Sequence, residues 1–472
     1  MSSQSPLLRH PAEVSVRKPR RDGVGAWPAA IGAEGMPKVS IHLPICNEPP
    51  QLVRETLDAL AALDYERFEV LVIDHNTAEP HLWEPVAEHC ARLGLKFRFF
   101  TLGKYKGSKA GALNFALRET APDAEIIGVI GSDCVVRPDW LRAMVPGFAD
   151  PKVGFAQSPQ DDPDADDRLR NAIIQRGTMT LIRKRALLDV EGWAEWCIAE
   201  DAELRLRLFR AGYQAVYAKK SFGKGLMPHD FAAYRQQSVR RAYGAMRILR
   251  AHAGTLFNPF NRDLTLGQRW HFVSGWLPWM GDALGLVFLL MSLAWSAGLI
   301  LNPERLAFPV ALVMLPSIGL LVFKIVQFFV LYARRTPCGF RGWAGAAVLG
   351  LALSHSIGKA VWRGLFTNRL PFPQGQAVAQ EPLWMLLLSW GALLGVGSGH
   401  HWATLETKLW CAVLFAQSLP YLAAVGVPIF FAARPSRPPK RAPAATEGSE
   451  KKFAAQGRVA HLLLAARRVG RA

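Results

Sequence analysis

Residues 129–136 read VIGSDCVV, and this stretch decides how the N-terminal half of the chain folds. An apolar run, Ile126-Ile127-Gly128-Val129-Ile130, stops at Gly131-Ser132 and delivers a single carboxylate, Asp133. Apolar residues then resume ahead of Arg137-Pro138-Asp139-Trp140. A short apolar run bounded by turn residues is the pattern of a strand buried on both faces. Runs at 39–46, 68–74 and 96–102 share it, and the fourth covers 125–130. Helical patterns fill the gaps, over 51–63, 83–93 and 109–119. Alternation at this spacing predicts βαβ units and a parallel sheet covered on both faces. In such sheets ligands bind beyond the carboxyl ends of the strands. Those ends carry Cys46-Asn47-Glu48, Asp74-His75-Asn76 and Asp133. Any one of these residues is what a plain turn would use; three polar tips together point to a convergent site.

Further along, "GSKAGALNFAL" (107–117) is a Gly/Lys turn opening a helix, with Lys109 in its first turn. A helix N-terminus with a nearby lysine suits a diphosphate. "CIAEDAELRLRLFRAGYQAVY" (197–217) starts a helix on Glu200 and Asp201, which serve either as dipole partners or as catalytic carboxylates. "FAAYRQQSVRRAYGAMRILRAH" (231–252) is a basic amphipathic helix on which Gln237, Arg240 and Arg241 share a face.

Beyond about residue 270 the composition changes. Apolar runs at 275–300, 308–333, 383–399 and 409–433 reach or approach the roughly 18–20 residues that a bilayer core requires. The chain of 472 residues carries a net charge of +18. Its Arg/Lys surplus sits in the soluble part, in "YARRTPCGFRGW" and in the tail from Arg434, all of which the positive-inside rule assigns to the cytoplasm. The surplus is thus a membrane and topology feature, and no nucleic-acid partner is expected. The segment 342–366 carries His355, Lys359 and Arg363 on nearby turns and reads as an amphipathic interface helix in preference to a fifth span. The first 27 residues lack a continuous apolar core, so no signal peptide is read there. Six scattered cysteines without CxxC spacing fit a reducing, cytosol-facing compartment. The division expected is a basic tail over 1–35, a catalytic α/β domain over 36–250, a helical membrane region over 251–433 and a basic cytoplasmic tail over 434–472. That makes a multi-pass protein of the inner (plasma) membrane with both termini cytoplasmic.

Taken in order, "VSIHLPICNEPP", "VLVIDHNT", "GSKAGALNFAL", "GSDCVV", "GTMTLIRKRALLDVEGW", "AEDAELRLRLFRAGY" and "GLMPHDFAAYRQQSVRRAYGAM" resemble the membrane-bound glycosyltransferases of family 2, the cellulose-synthase-like group with a GT-A catalytic domain. The resemblance implies a Rossmann-like GT-A fold followed by transmembrane helices. It implies transfer of a sugar from a nucleotide-diphospho-sugar, a UDP-sugar being expected, to a growing β-glycan with inversion. By the same resemblance, Asn47, Glu48 and Asp74 face the nucleotide, Lys109 the diphosphate, and Asp133 a Mg²⁺ or Mn²⁺ ion. Asp201, beside Glu200, is the implied general base, and Gln237 and Arg240 match the Gln and Arg of a QxxRW motif. Partners so implied are the nucleotide-sugar donor, a glycan or lipid-linked acceptor, the bilayer and other polysaccharide-synthase subunits.

Three departures stand out: Gly131 replaces the first Asp of an Asp-x-Asp motif, Ala199 the Thr of Thr-Glu-Asp, and Arg241 the Trp of QxxRW. The acidic run 161–167 reads as a solvated loop. "PFPQGQ" (371–376) stands where relatives carry a gating loop. Two alternatives therefore stay open, transfer to a lipid-phosphate acceptor and a non-catalytic synthase-like scaffold.

Overall fold

The computed structural model describes residues 36–158, 179–218, 220–225, 231–258, 260–302, 304–335, 340–368, 380–397 and 404–432. The two expected tails, the acidic run 161–167 and the 371–376 stretch lie outside them.

The N-terminal half alternates as the apolar runs require: β1 (Lys38–Ile45), α1 (Pro50–Ala61), β2 (Phe68–Asp74), α2 (Pro80–Leu93), β3 (Phe97–Thr101), α3 (Ser108–Glu119) and β4 (Ala124–Val129). Then follow β5 (Cys134–Val136), α4 (Trp140–Met144), β6 (Val153–Gln157), β7 (Thr180–Arg183), α5 (Lys184–Asp189), α6 (Glu200–Arg210), β8 (Gln214–Tyr217) and β9 (Gly223–Gly225). The main sheet has seven strands in the order β3-β2-β1-β4-β7-β6-β8. Its first four strands are parallel. At β7 the direction reverses, because β7 runs antiparallel to both β4 and β6. The sheet is therefore mixed, where the alternation alone suggested a purely parallel one. β5 and β9 make a separate antiparallel pair.

Every residue of β2 is buried, as is β1 beyond Lys38. Val39, Ile41, Leu43, Val70 and Val72 pack with Val53 and Leu57 of α1 on one face, while Leu71 and Ile73 meet Ala112 and Ala116 of α3 on the other. Trp140 is fully buried beneath β4. A Cβ placed on Gly128 would sit 3.2 Å from Leu181 Cδ2 of β7, so that leucine would have to give way to any larger residue there.

The C-terminal half is helical: α7 (Phe231–Ala251), α8 (Ala253–Phe257), α9 (Leu266–Leu301), α10 (Leu315–Arg335), α11 (Phe340–Phe366), α12 (Gln380–Gly397) and α13 (Leu405–Ala432). α11 packs on α7, α9 and α13, and α12 on α13 and α9. Among the described residues three helices are long and apolar enough to cross a membrane: Leu266–Leu301, Trp343–Phe366 and Leu405–Phe430. Val310–Val326, which takes in the first half of α10, is apolar as well. The spans expected over 308–333 and 383–399 fall on α10 and α12, and the interface helix expected over 342–366 falls on α11. Lys324 of α10 pairs with Asp282 of α9, and α12 opens on Gln380-Glu381-Pro382. The basic side chains of 342–366 meet a carboxylate of α12. His355 Nε2 lies 3.3 Å from Glu381 Oε2, and Lys359 pairs with the same oxygen.

Removing the indole should test how the sheet depends on Trp140. Trp140→Ala is expected to destabilise the N-terminal domain by about 3–5 kcal/mol, read from the shift in its urea midpoint.

Candidate active site

The polar residues at the strand tips are held by backbone geometry that suits them. Asn47 and Asn76 follow β1 and β2 with φ of 53° and 59°, a left-handed conformation that asparagine tolerates better than most residues. The Asn76 side-chain oxygen accepts from Tyr105 N at 2.9 Å, and Asn76 N donates to Gly103 O at 2.7 Å. The tips of β2 and β3 are thereby tied together. Thr77 Oγ1 accepts from Asn47 N at 2.9 Å and donates to Asp74 Oδ1 at 2.6 Å. Thr101 Oγ1 donates to the other oxygen of Asp74 at 3.3 Å. Burial pushes the Asp74 carboxyl up, and the Thr77 and Thr101 hydroxyls pull it back.

The turn after β4 is fixed from outside the strand. Thr56, buried in α1, donates to Ser132 O at 2.7 Å, and Cys134 N closes the turn on Gly131 O. Asp133 is presented between those two anchors. Its neighbour across the cleft is Glu48. Burial raises the Glu48 carboxyl, a hydrogen bond with Ser132 opposes the rise, and the charge of Asp133 adds to it. Among the described residues no group of three or more His, Cys, Asp or Glu is placed to hold a metal. Asp133 and Glu48 are nevertheless two hard carboxylates within each other's field, which is a donor set that a divalent ion on a diphosphate can use.

The second half of the site comes from α3 and α6. Gly107 precedes α3 with φ of 85°, where a Cβ would lie 2.7 Å from Glu195 Oε2, so the turn needs glycine. Two residues on, Lys109 Nζ pairs with Glu200 Oε1 at 2.9 Å. Burial works against the Lys109 charge, but Glu200 and then Asp201 outweigh it and hold the ammonium above its ordinary range. Lys109 also acts on His75, which burial in the first place and the lysine charge in the second push down. Glu200 is buried, whereas the Asp201 side chain is 34% exposed and has Arg205 Nη2 at 3.6 Å. A cleft beside this pair is lined by Lys109, Gln157, Thr180, Trp193, Asp201 and Arg205 above an apolar floor.

α6 is itself clamped. Arg207 makes two bonds to Glu203, at 2.9 and 2.8 Å, and reaches Gly192 O at 2.7 Å. His252, just past α7, lies 3.1 Å from Glu203 Oε1. On α7, Arg240 is near enough for its charge to bear on both Cys46 and Lys109. Gln237 stands one turn before it, half-buried. The structure therefore draws Asn47, Glu48, Asp74, Lys109, Asp133, Glu200, Asp201 and Arg240 into one linked region. Thr77, Thr101, Ser132 and Arg205 were not singled out from the sequence. Arg205 had a signal, its i,i+4 spacing from Asp201; Thr101 had none, since it reaches Asp74 only through strand pairing.

A mixed sheet of this order, with carboxylates at its parallel strand tips and acidic and basic helices closing over them, defines a GT-A nucleotide-sugar transferase fold. Residues 40–239 match the family Glycosyl transferase family 2, and residues 167–333 match Glycosyl transferase family group 2. The chain is similar to the cellulose synthase catalytic subunit [UDP-forming] of Pseudomonas fluorescens (strain SBW25), at 28% identity over 293 residues, covering 56% of this chain and 38% of the relative. It is also similar to glucomannan 4-beta-mannosyltransferase 9 of Arabidopsis thaliana, at 23% identity, covering 52% of this chain and 50% of the relative. Among solved structures it matches mannosyltransferase PcManGT from Pyrobaculum calidifontis in complex with GDP-Man and Mn2+, at 19% identity and a TM-score of 0.48, covering 72% of this chain and 90% of the other. The chain belongs to glycosyltransferase family 2 and is cellulose-synthase-like. It spans half or less of the length of these curated relatives.

The braced Asp74 yields a pH-dependent expectation. A carboxyl raised in the folded state costs stability as pH climbs from its unfolded value near 3.8 through its higher folded value. Thr77→Val deletes a bond that favours the ionised form, so it should raise Asp74 further. The variant is expected to lose about 1.5–3 kcal/mol at neutral pH and clearly less near pH 4, measured by urea unfolding at both.

Proposed function

We propose that the chain moves a sugar from a nucleotide-diphospho-sugar, a UDP-sugar in the first instance, to a β-glycan acceptor with inversion at the anomeric carbon. The observation that carries this reading is the 2.9 Å Lys109–Glu200 pair, which joins the strand-tip cluster to the start of α6 and so brings Asp201 to the cleft. In the proposed reaction Asn47 and Asp74 hold the nucleoside and Lys109 and Arg240 face the diphosphate. Asp201 takes the proton of the acceptor hydroxyl as its oxygen attacks the anomeric carbon and the nucleoside diphosphate departs. A positioned base of this kind contributes roughly 10²–10⁴-fold. Preorganised cations at the leaving diphosphate stabilise the charge that develops there.

Asp133 would hold a Mg²⁺ or Mn²⁺ ion on the diphosphate, with Glu48, whose carboxyl feels the Asp133 charge, as the second carboxylate in place of the one that Gly131 does not supply. Such an ion would act as a Lewis acid on the diphosphate. Gln237 orients donor or acceptor from the α7 face. The catalytic domain and both termini are cytoplasmic in this reading, the helical half lies in the inner membrane, and other synthase subunits are its natural partners. The acceptor is a glycan; a lipid-linked acceptor is the variant favoured by Arg241, a cation in place of an aromatic sugar platform. The departures at Gly131, Ala199 and Arg241 favour a different reading, a non-catalytic scaffold, and activity decides between them.

With purified full-length protein and a panel of radiolabelled nucleotide sugars, Asp201→Asn is expected to abolish transfer while nucleotide affinity stays near that of the wild type. Transfer at the wild-type rate by that variant would make Asp201 a helix-start charge only. A wild type inert towards every donor would establish the scaffold. Separately, Gly131→Asp is expected to tighten Mn²⁺ binding in the presence of UDP, measured by calorimetry, and Asp133→Ala to weaken it.

A further inference from the structure

The connection from α8 to α9 holds apolar side chains out of the protein, and its construction is rigid. Asn258 accepts from Phe260 N at 2.9 Å through its side chain, and Asn261 does the same for Asp263 N at 2.8 Å. Arg269, buried on α9, reaches back to donate to the carbonyls of both asparagines. Thr265 and Gln268 close a reciprocal capping box at the start of α9, at 3.2 and 2.9 Å. Leu256 and Leu264 anchor the connection from beneath, in the apolar cluster that includes Trp276 and Ala283.

A segment so fully bonded to itself has little freedom to fold its apolar groups away. Yet Phe260 is 88% exposed, Leu266 81%, Trp270 66% and Phe257 58%. Leu266 and Trp270 are four residues apart on α9 and share one face. Water offers these four side chains nothing, and no described element of the chain covers them. They lie at the end of α9 from which the apolar run 275–300 departs, and Arg262, between Phe260 and Leu266 in the chain, is exposed. A helix of 36 residues is about 54 Å long, well beyond a hydrocarbon core of about 30 Å. Its first turns must therefore lie at or below the membrane surface. Aromatic residues beside an exposed arginine are the chemistry of the headgroup boundary.

We propose that Phe257, Phe260, Leu266 and Trp270 form a preformed wedge that inserts into the cytoplasmic-leaflet boundary of an anionic bilayer. The wedge fixes how deep α9 sits and how the catalytic domain stands over the membrane. This rests on the membrane reading above, and it goes beyond that reading in naming a second, interfacial contact outside the spans.

The test uses the unmodified full chain in nanodiscs of phosphatidylglycerol and phosphatidylcholine. One lipid carries a diazirine on an acyl carbon close to the glycerol, and adducts are mapped by mass spectrometry after illumination. Adducts are expected on the 257–270 segment as well as within 275–300, and the 257–270 adducts should be more abundant with the diazirine on phosphatidylglycerol. Adducts within 275–300 alone would overturn the wedge and leave the span intact. Absence of adducts anywhere on α9 would overturn the membrane reading itself. Equal labelling of 257–270 from both lipids would remove the anionic preference.

Discussion

A sheet covered on both faces can carry charge only at its ends. β1 beyond Lys38 and all of β2 are buried, with α1 on one side and α3 on the other. An ionised group anywhere along those strands would face a desolvation cost that only a paired partner could offset. The carboxylates therefore collect where the strands run out, at Glu48, Asp74 and Asp133. Because β1, β2 and β4 are parallel neighbours, their carboxyl ends lie on the same edge. Convergence of the site is a consequence of sheet direction, and the lone aspartate after β4 is the contribution of that strand to a shared cluster.

Gathering carboxylates makes them repel, and the surroundings of the site answer that repulsion. Asp133 raises Glu48, so two carboxylates share a field that a cation would relieve. Asp74 is relieved by hydroxyl donors instead. Glu200 is relieved by Lys109, whose charge in turn is felt at His75. These local solutions differ in what a substrate can take over. A diphosphate arriving at the strand tips would compete with Glu200 for Lys109, whereas the hydroxyls on Asp74 have no such rival. In the proposed reaction, donor binding would be felt at Glu200 through that single lysine.

The strand–helix alternation was legible because burial on two faces leaves unbroken apolar runs, and the observed β2 has the bounds read from the sequence. Less legible was anything that depends on a partner distant in sequence. Thr101 reaches Asp74 through the pairing of β2 and β3, and Glu48 reaches Asp133 through that of β1 and β4. The same holds for 342–366, where His355 and Lys359 of α11 meet Glu381 of α12, a partner that the segment's own sequence does not show. Reversal at β7 left no signature, since a short apolar strand has the same composition in either direction.

α7 carries the argument from site to membrane. Arg240 reaches the charge field of the site from the first half of the helix, while its last turns are bound to the end of α11. There Arg247 donates to Asn368 Oδ1 at 2.8 Å and Arg250 to Leu365 O at 3.0 Å, two cations placed where the closing carbonyls of α11 carry partial negative charge. The backbones meet closely as well, for a Cβ on Gly364 would lie 2.7 Å from Tyr243 O. His252, immediately after α7, holds Glu203 of α6. The helix bearing Asp201 is thus tied through α7 to the helical bundle. Misplacement of a reacting group by about 1 Å can cost on the order of 10²-fold in rate. On that scale, fixing α7 against α11 bears on the position of Asp201, the base of the proposed reaction, as the residues that touch it do.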